Sequence, residues 1–139
     1  MKAPLFSEIL EICQAIAQAS SDNDDNQRTK QYQALIKLCA ANENSPKDHP
    51  LQWEALADFT NDSEQAIEIY QKGLVCAEKL NYADYIASIY LSMAQRYQEM
   101  ELTDKAVQAA THSFDLIEQV ENKELCSDIS EYYQQLTAE

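Results

Sequence analysis

The side chains able to do chemistry are few, and their spacing suits no reaction. Asp22, Asp24 and Asn26 alternate like the opening of a calcium loop. Such a loop needs Gly at its sixth place and Glu at its twelfth, where this chain has Gln27 and Gln33, so the run reads as a solvated turn. His49 and His112 lie far apart, and neither has an ExxH or HxxxH partner for metal ligation or general-base work. Cys13, Cys39, Cys76 and Cys126 form no CxxC pair, which argues against zinc and dithiol redox sites. They read as small, mostly buried apolar residues in a reducing compartment. A single glycine excludes the phosphate-cradling loops GxGxxG and GxxxxGK[ST]. The expectation is no catalytic residue, no metal and no cofactor: this is not an enzyme.

The charge balance narrows the partners. Ten basic and 24 acidic side chains give a net charge of −14, a surface that repels phosphate backbones and anionic lipid. Nucleic-acid and membrane binding are therefore not expected, and a basic or polar protein or peptide is the easier match. Ala17-Gln18-Ala19 imitates a signal-peptidase site, but Glu8 and Glu11 interrupt the stretch before it, which reads as an amphipathic helix. No segment approaches the roughly 18 apolar residues of a membrane span, so the expected location is the cytoplasm. The sequon Asn61-Asp62-Ser63 has no consequence without export.

What holds these side chains must be helical. One glycine and three prolines in 139 residues leave no turn residues for hairpins of strands, whereas Ala, Leu, Gln and Glu fill helices. The spacing predicts seven helices in a single domain, 1–139. The first runs over 4–20 with the stripe Ile9, Ile12, Cys13 and Ile16, and the second over about 27–42 with Tyr32, Leu35, Ile36 and Cys39. An irregular link, 43–50, closes on Pro46 and Pro50. A short helix over about 51–60 carries Leu51, Trp53, Leu56, Ala57 and Phe59. Asp62 and Gln65 open the next in a capping box, with Ala66, Ile69, Tyr70, Gly73, Leu74, Ala77 and Leu80 on its apolar face. Asn81 is expected to cap a fifth helix reaching Glu101, and Thr103 or Asp104 a sixth reaching Val120. Asn122 opens the last, striped by Leu125, Ile129, Tyr132, Tyr133 and Leu136.

Large and small residues recur across these helices in a definite order. Tyr90-x-x-Met93-Ala94-x-x-Tyr97 is followed by Ala106, Ala110 and Ser113 at matching offsets. An earlier, poorer copy reads Trp53-x-x-Leu56-Ala57, then Ala66-x-x-x-Tyr70-x-x-Gly73, with Thr60 where an aromatic is usual and a link about three residues short. This pattern resembles the tetratricopeptide repeat, a helix pair of about 34 residues. The resemblance covers 51–120 as two repeats with extended helices, since Ala66 to Ala106 exceeds the standard period. It implies an all-α, right-handed superhelical stack of antiparallel hairpins, with 1–50 as an N-terminal helix pair and linker and 121–139 as a capping helix. A four-helix bundle is the competing arrangement.

The resemblance also implies a place for a partner, because first helices in the family line a concave groove that holds peptides. On the exposed flanks of those helices stand Glu54, Asp58 and Asn61 in the poorer copy, and Asp84, Ser88, Leu91, Gln95 and Gln98 in the better one. The family's Lys–Asn–Arg clamp for terminal carboxylates has no counterpart here, since Glu54, Asp58, Leu91 and Gln95 occupy those places. A Lys- or Arg-bearing peptide suits them better.

Three functions follow. The first is an adaptor or scaffold module with a peptide or protein in the groove. The second is a secretion-type chaperone of an effector or translocator, which predicts dimerisation through the N-terminal helices. The third is an acidic DNA mimic, which needs rows of carboxylates; the acids are instead scattered among Lys72, Lys79, Lys105 and Lys123. Monomer and weak dimer both remain open.

Overall fold

The computed structural model describes residues 3–138. Among these described residues seven α-helices follow one another: α1 Phe6–Ser21, α2 Asp25–Asn42, α3 Pro50–Asp58, α4 Ser63–Leu80, α5 Ala83–Glu99, α6 Thr103–Asp115 and α7 Lys123–Thr137. A 3₁₀ turn, Ile117–Gln119, separates the last two.

The helix starts are set by side chains that satisfy otherwise unpaired backbone N–H groups. Asp24, Asp62 and Asn122 accept from the amides of Gln27, Gln65 and Leu125 at 3.1, 3.2 and 3.0 Å. At α3 the cap is His49, whose Nδ1 accepts from Leu51 N at 3.1 Å, with Pro50 as the first helical residue. The helix ends are set without glycine. Asn23, Asn81 and Glu101 take the left-handed conformation, with φ of 55°, 53° and 61°. After each, the next amide bonds back to a carbonyl five residues earlier: Asp24 to Ala19, Tyr82 to Ala77, Leu102 to Tyr97. Three corners thus share one geometry, with asparagine doing at two of them what glycine usually does.

Several sequence expectations shift here. Asn81 ends α4 rather than capping α5, whose start at Tyr82 has no side-chain cap. Leu102, not Thr103 or Asp104, precedes α6. That helix stops at Asp115 because the chain tightens into the 3₁₀ turn. Pro4 lies ahead of α1, not in its first turn. On α4, Leu80 is 50% exposed at the corner, and Ile67 is buried instead.

Consecutive helices pack as hairpins, α1 on α2, α3 on α4 and α5 on α6, with α7 against α6. The first helices also touch in the order α1, α3, α5, α7, whereas α2, α4 and α6 form no such row. The large-against-small pairing read from the sequence is realised in the third hairpin. Ala94, Ala106, Ala110 and Ser113 are buried, and Ser113 Oγ donates to the Ala87 carbonyl at 2.7 Å. Tyr97 and Ala106 stand on α5 and α6, the two helices in most extensive contact. Gly73 is where three helices converge: a Cβ there would lie 3.1 Å from Trp53 Cβ on α3 and 3.3 Å from Ile89 Cδ1 on α5. Ile16, Leu35, Ile89 and Ile129 are fully buried, each contributing about 1.5–3 kcal/mol by leaving water. All four cysteines are free; Cys39 is buried and the others half-buried. Burial, helped by Asp48 nearby, pushes the Cys39 thiol up to about 12, so it packs rather than reacts.

Candidate functional site

The row of first helices exposes a polar trough across α3, α5 and α7, and α5 is its spine. Three hollows lie along it. Near the start of α5, one of about 270 Å³ is lined by Glu54, Tyr82, Asp84, Tyr85, Ser88, Asn122 and Leu125. Between α5 and α7, one of about 210 Å³ is lined by Leu91, Gln95, Asp128, Glu131, Tyr132 and Gln135. Between α3 and the end of α5, one of about 350 Å³ is lined by Asp58, Thr60, Asn61, Tyr70, Ser92, Gln95, Arg96 and Glu99.

The first hollow unites Glu54, Asp84 and Ser88. Ser88 Oγ donates to Glu54 Oε2 at 2.5 Å, tying α5 to α3. Burial pushes the Glu54 carboxyl up to about 7; the Ser88 bond opposes this and the charge of Asp58 adds to it. Asp84 spends both carboxylate oxygens on backbone, accepting from Glu121 N at 2.8 Å and Asn122 N at 3.1 Å. It therefore holds the chain where α7 begins. Behind this hollow His49, Tyr82 and Tyr85 meet edge to face, with centroids 5.1 Å apart for His49–Tyr85 and 5.3 Å for Tyr82–Tyr85.

The hollow by the end of α5 unites Asp58, Asn61 and Gln95. Asp58 accepts a short hydrogen bond from the Tyr70 hydroxyl. Burial raises its carboxyl above the usual range, while that bond and Arg96 hold it down. Gln95 is exposed and borders both this hollow and the one beside α7. Gln98 lies outside all three and accepts from the Tyr132 hydroxyl at 2.7 Å. Leu91 corrects an expectation: it is only 9% exposed, because α7 folds over it and Ile129 joins it in a small core.

Two features of the trough escaped the sequence reading. Arg96 sends Nη2 to the carbonyls of Ala57 at 3.0 Å and Thr60 at 2.7 Å, and Nη1 to that of Asn61 at 3.4 Å. A guanidinium thus closes the C-terminal end of α3, where the terminal carbonyls favour a cation. The other is α7, expected only as a cap, which also supplies a wall through Asp128, Glu131 and Gln135. The signal was present: these residues recur at helical spacing on the flank beside the Leu125–Ile129–Leu136 stripe.

The trough is acidic, with Glu54, Asp58, Asp84, Glu99, Asp128 and Glu131 along it and, among the described residues, Arg96 as the one basic residue lining its hollows. No group of three metal-ligating side chains converges among the described residues, and no helix there is long and apolar enough to cross a membrane. No family model matches the chain, and neither a curated protein nor a solved structure matches it.

Proposed function

We propose that this protein is a non-catalytic interaction module of tetratricopeptide-repeat type, working in the cytoplasm as an adaptor that lays a basic or polar peptide along the trough. One observation carries the reading: hollows in series across three first helices, acidic along their length, with Arg96, the single cation among the described residues that line them, spent on backbone carbonyls. Such a surface steers and orients a Lys- or Arg-bearing segment, and the amides of Gln95 and Gln135 add neutral hydrogen-bonding partners.

The test uses fluorescence polarisation with labelled peptides of equal length, rich in Lys and Arg or in Asp and Glu. Charge reversal belongs at Asp128 and Glu131, which are exposed. Glu54 and Asp58 are poorer targets, because Ser88 and Tyr70 bond to them. Basic peptides are expected to bind, and Asp128→Lys with Glu131→Lys to weaken them about tenfold at low salt with the helical circular-dichroism signal intact. Equal binding of acidic peptides, or indifference to the double reversal, would remove the trough as the site.

A further inference from the structure

A cavity of about 420 Å³, larger than any hollow of the trough, opens between α2 and α4, on the side of the second helices. Its floor is apolar and buried: Cys39, Trp53 and Leu56. Its walls are half-buried: Tyr32 and Ile36 from α2, Ile69 from α4. The rim is polar, with Glu43 at the end of α2 and Gln65, Glu68 and Lys72 along α4. The cleft lies where α2 packs on α1 and α3 and stands off from α4, with the Lys72–Glu43 pair crossing its rim.

Lys72 shows what chemistry the cleft accepts. Its ammonium lies 5.1 Å from the centre of the Trp53 ring and 3.1 Å from Glu43 Oε2, so a cation rests on the indole beside a carboxylate. Among the described residues Lys72 is the only basic residue at this rim, and it is paired with Glu43, whereas the Glu68 side chain has no ion pair or hydrogen bond there. With a net charge of −14 behind it, the rim favours a basic neighbour. An apolar floor within a polar rim, set between two helices of 18 residues each, is the geometry that takes the apolar face of a third helix.

We propose that the α2–α4 cleft is a second docking site, for an amphipathic helix of a partner protein. Large apolar side chains of that helix enter between Ile36 and Ile69, and its flanking lysines or arginines meet Glu68 and Glu43. The site is separate from the trough and does not depend on a peptide lying there.

Trp53 is the only tryptophan and forms part of the floor, so its emission reports occupancy without a label. The probe is an acetylated, amidated helical peptide of about 15 residues, with Leu at three- and four-residue steps and Lys on both flanks. Controls are a sequence-scrambled peptide and one with Glu for Lys. The expected result is a saturable change in Trp53 emission with a Kd of roughly 10–100 µM, absent with both controls. Ile69→Glu should weaken it more than about tenfold and the exposed Glu68→Lys about fivefold. Lys72→Ala, which vacates the indole, should tighten it about twofold to fivefold. Asp128→Lys with Glu131→Lys should leave it unchanged, which separates this site from the trough. The proposal is overturned by an unresponsive Trp53, by equal binding of the Glu-flanked peptide, or by indifference to Glu68→Lys. A dimer in sedimentation that Ile69→Glu dissociates would also overturn it, by assigning the cleft to a second copy of the chain.

Discussion

The seam between the second and third hairpins and the seam between the first and second are built from different residues, and they behave differently. At the former, Ala57, Ala66, Gly73, Ala77 and Ala94 let backbones approach, Ile89 and Met93 fill what is left, and α4 lies flush on α5. At the latter, Trp53, Leu56 and Leu35 make a core beneath, but Ile69, Glu68 and Lys72 line the α4 wall of the gap toward α2, and a cleft stays open above it. Residue size at facing positions decides whether neighbouring helices close or splay. The closed seam carries the α3–α5 part of the trough, and the open one carries the cleft.

The largest expected effect attacks the closed seam at its tightest point. Gly73→Leu places a side chain where even a Cβ meets Trp53 and Ile89 at 3.1 and 3.3 Å. Trp53 Cβ cannot retreat without moving its helix, and the terminal methyl of Ile89, fully buried, has little room to turn aside, so the cost should be about 4 kcal/mol by urea denaturation, above the usual range for overpacking. A near-neutral outcome would mean that α4 and α5 are not locked at Gly73. Slightly smaller, and a direct comparison of the seams, is the pair Ile89→Ala and Ile69→Ala. Ile89 is fully buried and should cost about 3.5 kcal/mol on truncation; Ile69, half-exposed to the cleft, should cost about 1 kcal/mol. Equal losses would erase the distinction.

Protonation supplies the third test. Glu54 joins α3 to α5 through Ser88, and its carboxyl, ordinarily near 4.5, is pushed up to about 7 by burial. A raised carboxyl favours the folded state in its neutral form. That stabilisation is fully present below 4.5 and is lost as pH rises through 7, amounting to up to about 3 kcal/mol. Glu54→Gln keeps the neutral shape, so it should be more stable than the parent at pH 8, indistinguishable at pH 4, and flatter in between when melts are compared across pH. A parent profile without that slope would show that Glu54 stays solvated and that the closed seam is looser than its geometry implies.

The same contrast explains what could be read from the sequence. Seven helices and the caps Asp62 and Asn122 were legible, because a cap bond spans only three residues. The buried small residues Ala94, Ala106 and Ser113 were legible too, since their spacing repeats against aromatics. Asn81 misled because asparagine suits both a helix start and a left-handed helix end, and only the bond from Tyr82 N to Ala77 O decides between them. Leu91 misled because its burial depends on α7 folding over α5. Arg96 could not be assigned at all: its carbonyl targets lie 36 and 39 residues away. The cleft depends on how one hairpin is set on the next, which no local pattern encodes.

The smallest effects compare the polar ties across the two seams. Across the closed one, Arg96 reaches several carbonyls at the end of α3 with a planar fork. Lysine keeps the charge but lacks that fork, so Arg96→Lys should cost about 1.5 kcal/mol in urea denaturation. Across the open one, Lys72 and Glu43 pair at 3.1 Å with side chains 53% and 38% exposed. An ion pair in that much water is worth little, and the Trp53 contact adds about 0.5 kcal/mol, so Lys72→Ala should shift stability by no more than about 1 kcal/mol. The difference follows from what each cation replaces. Arg96 satisfies the Thr60 and Asn61 carbonyls just past the end of α3 and reinforces that of Ala57, which also accepts from Thr60 N, whereas Lys72 only exchanges hydration for a contact with an exposed carboxylate. If Lys72→Ala proved as costly as Arg96→Lys, the pair would be holding the first hairpin against the second, and the cleft would be a strapped seam rather than a free one.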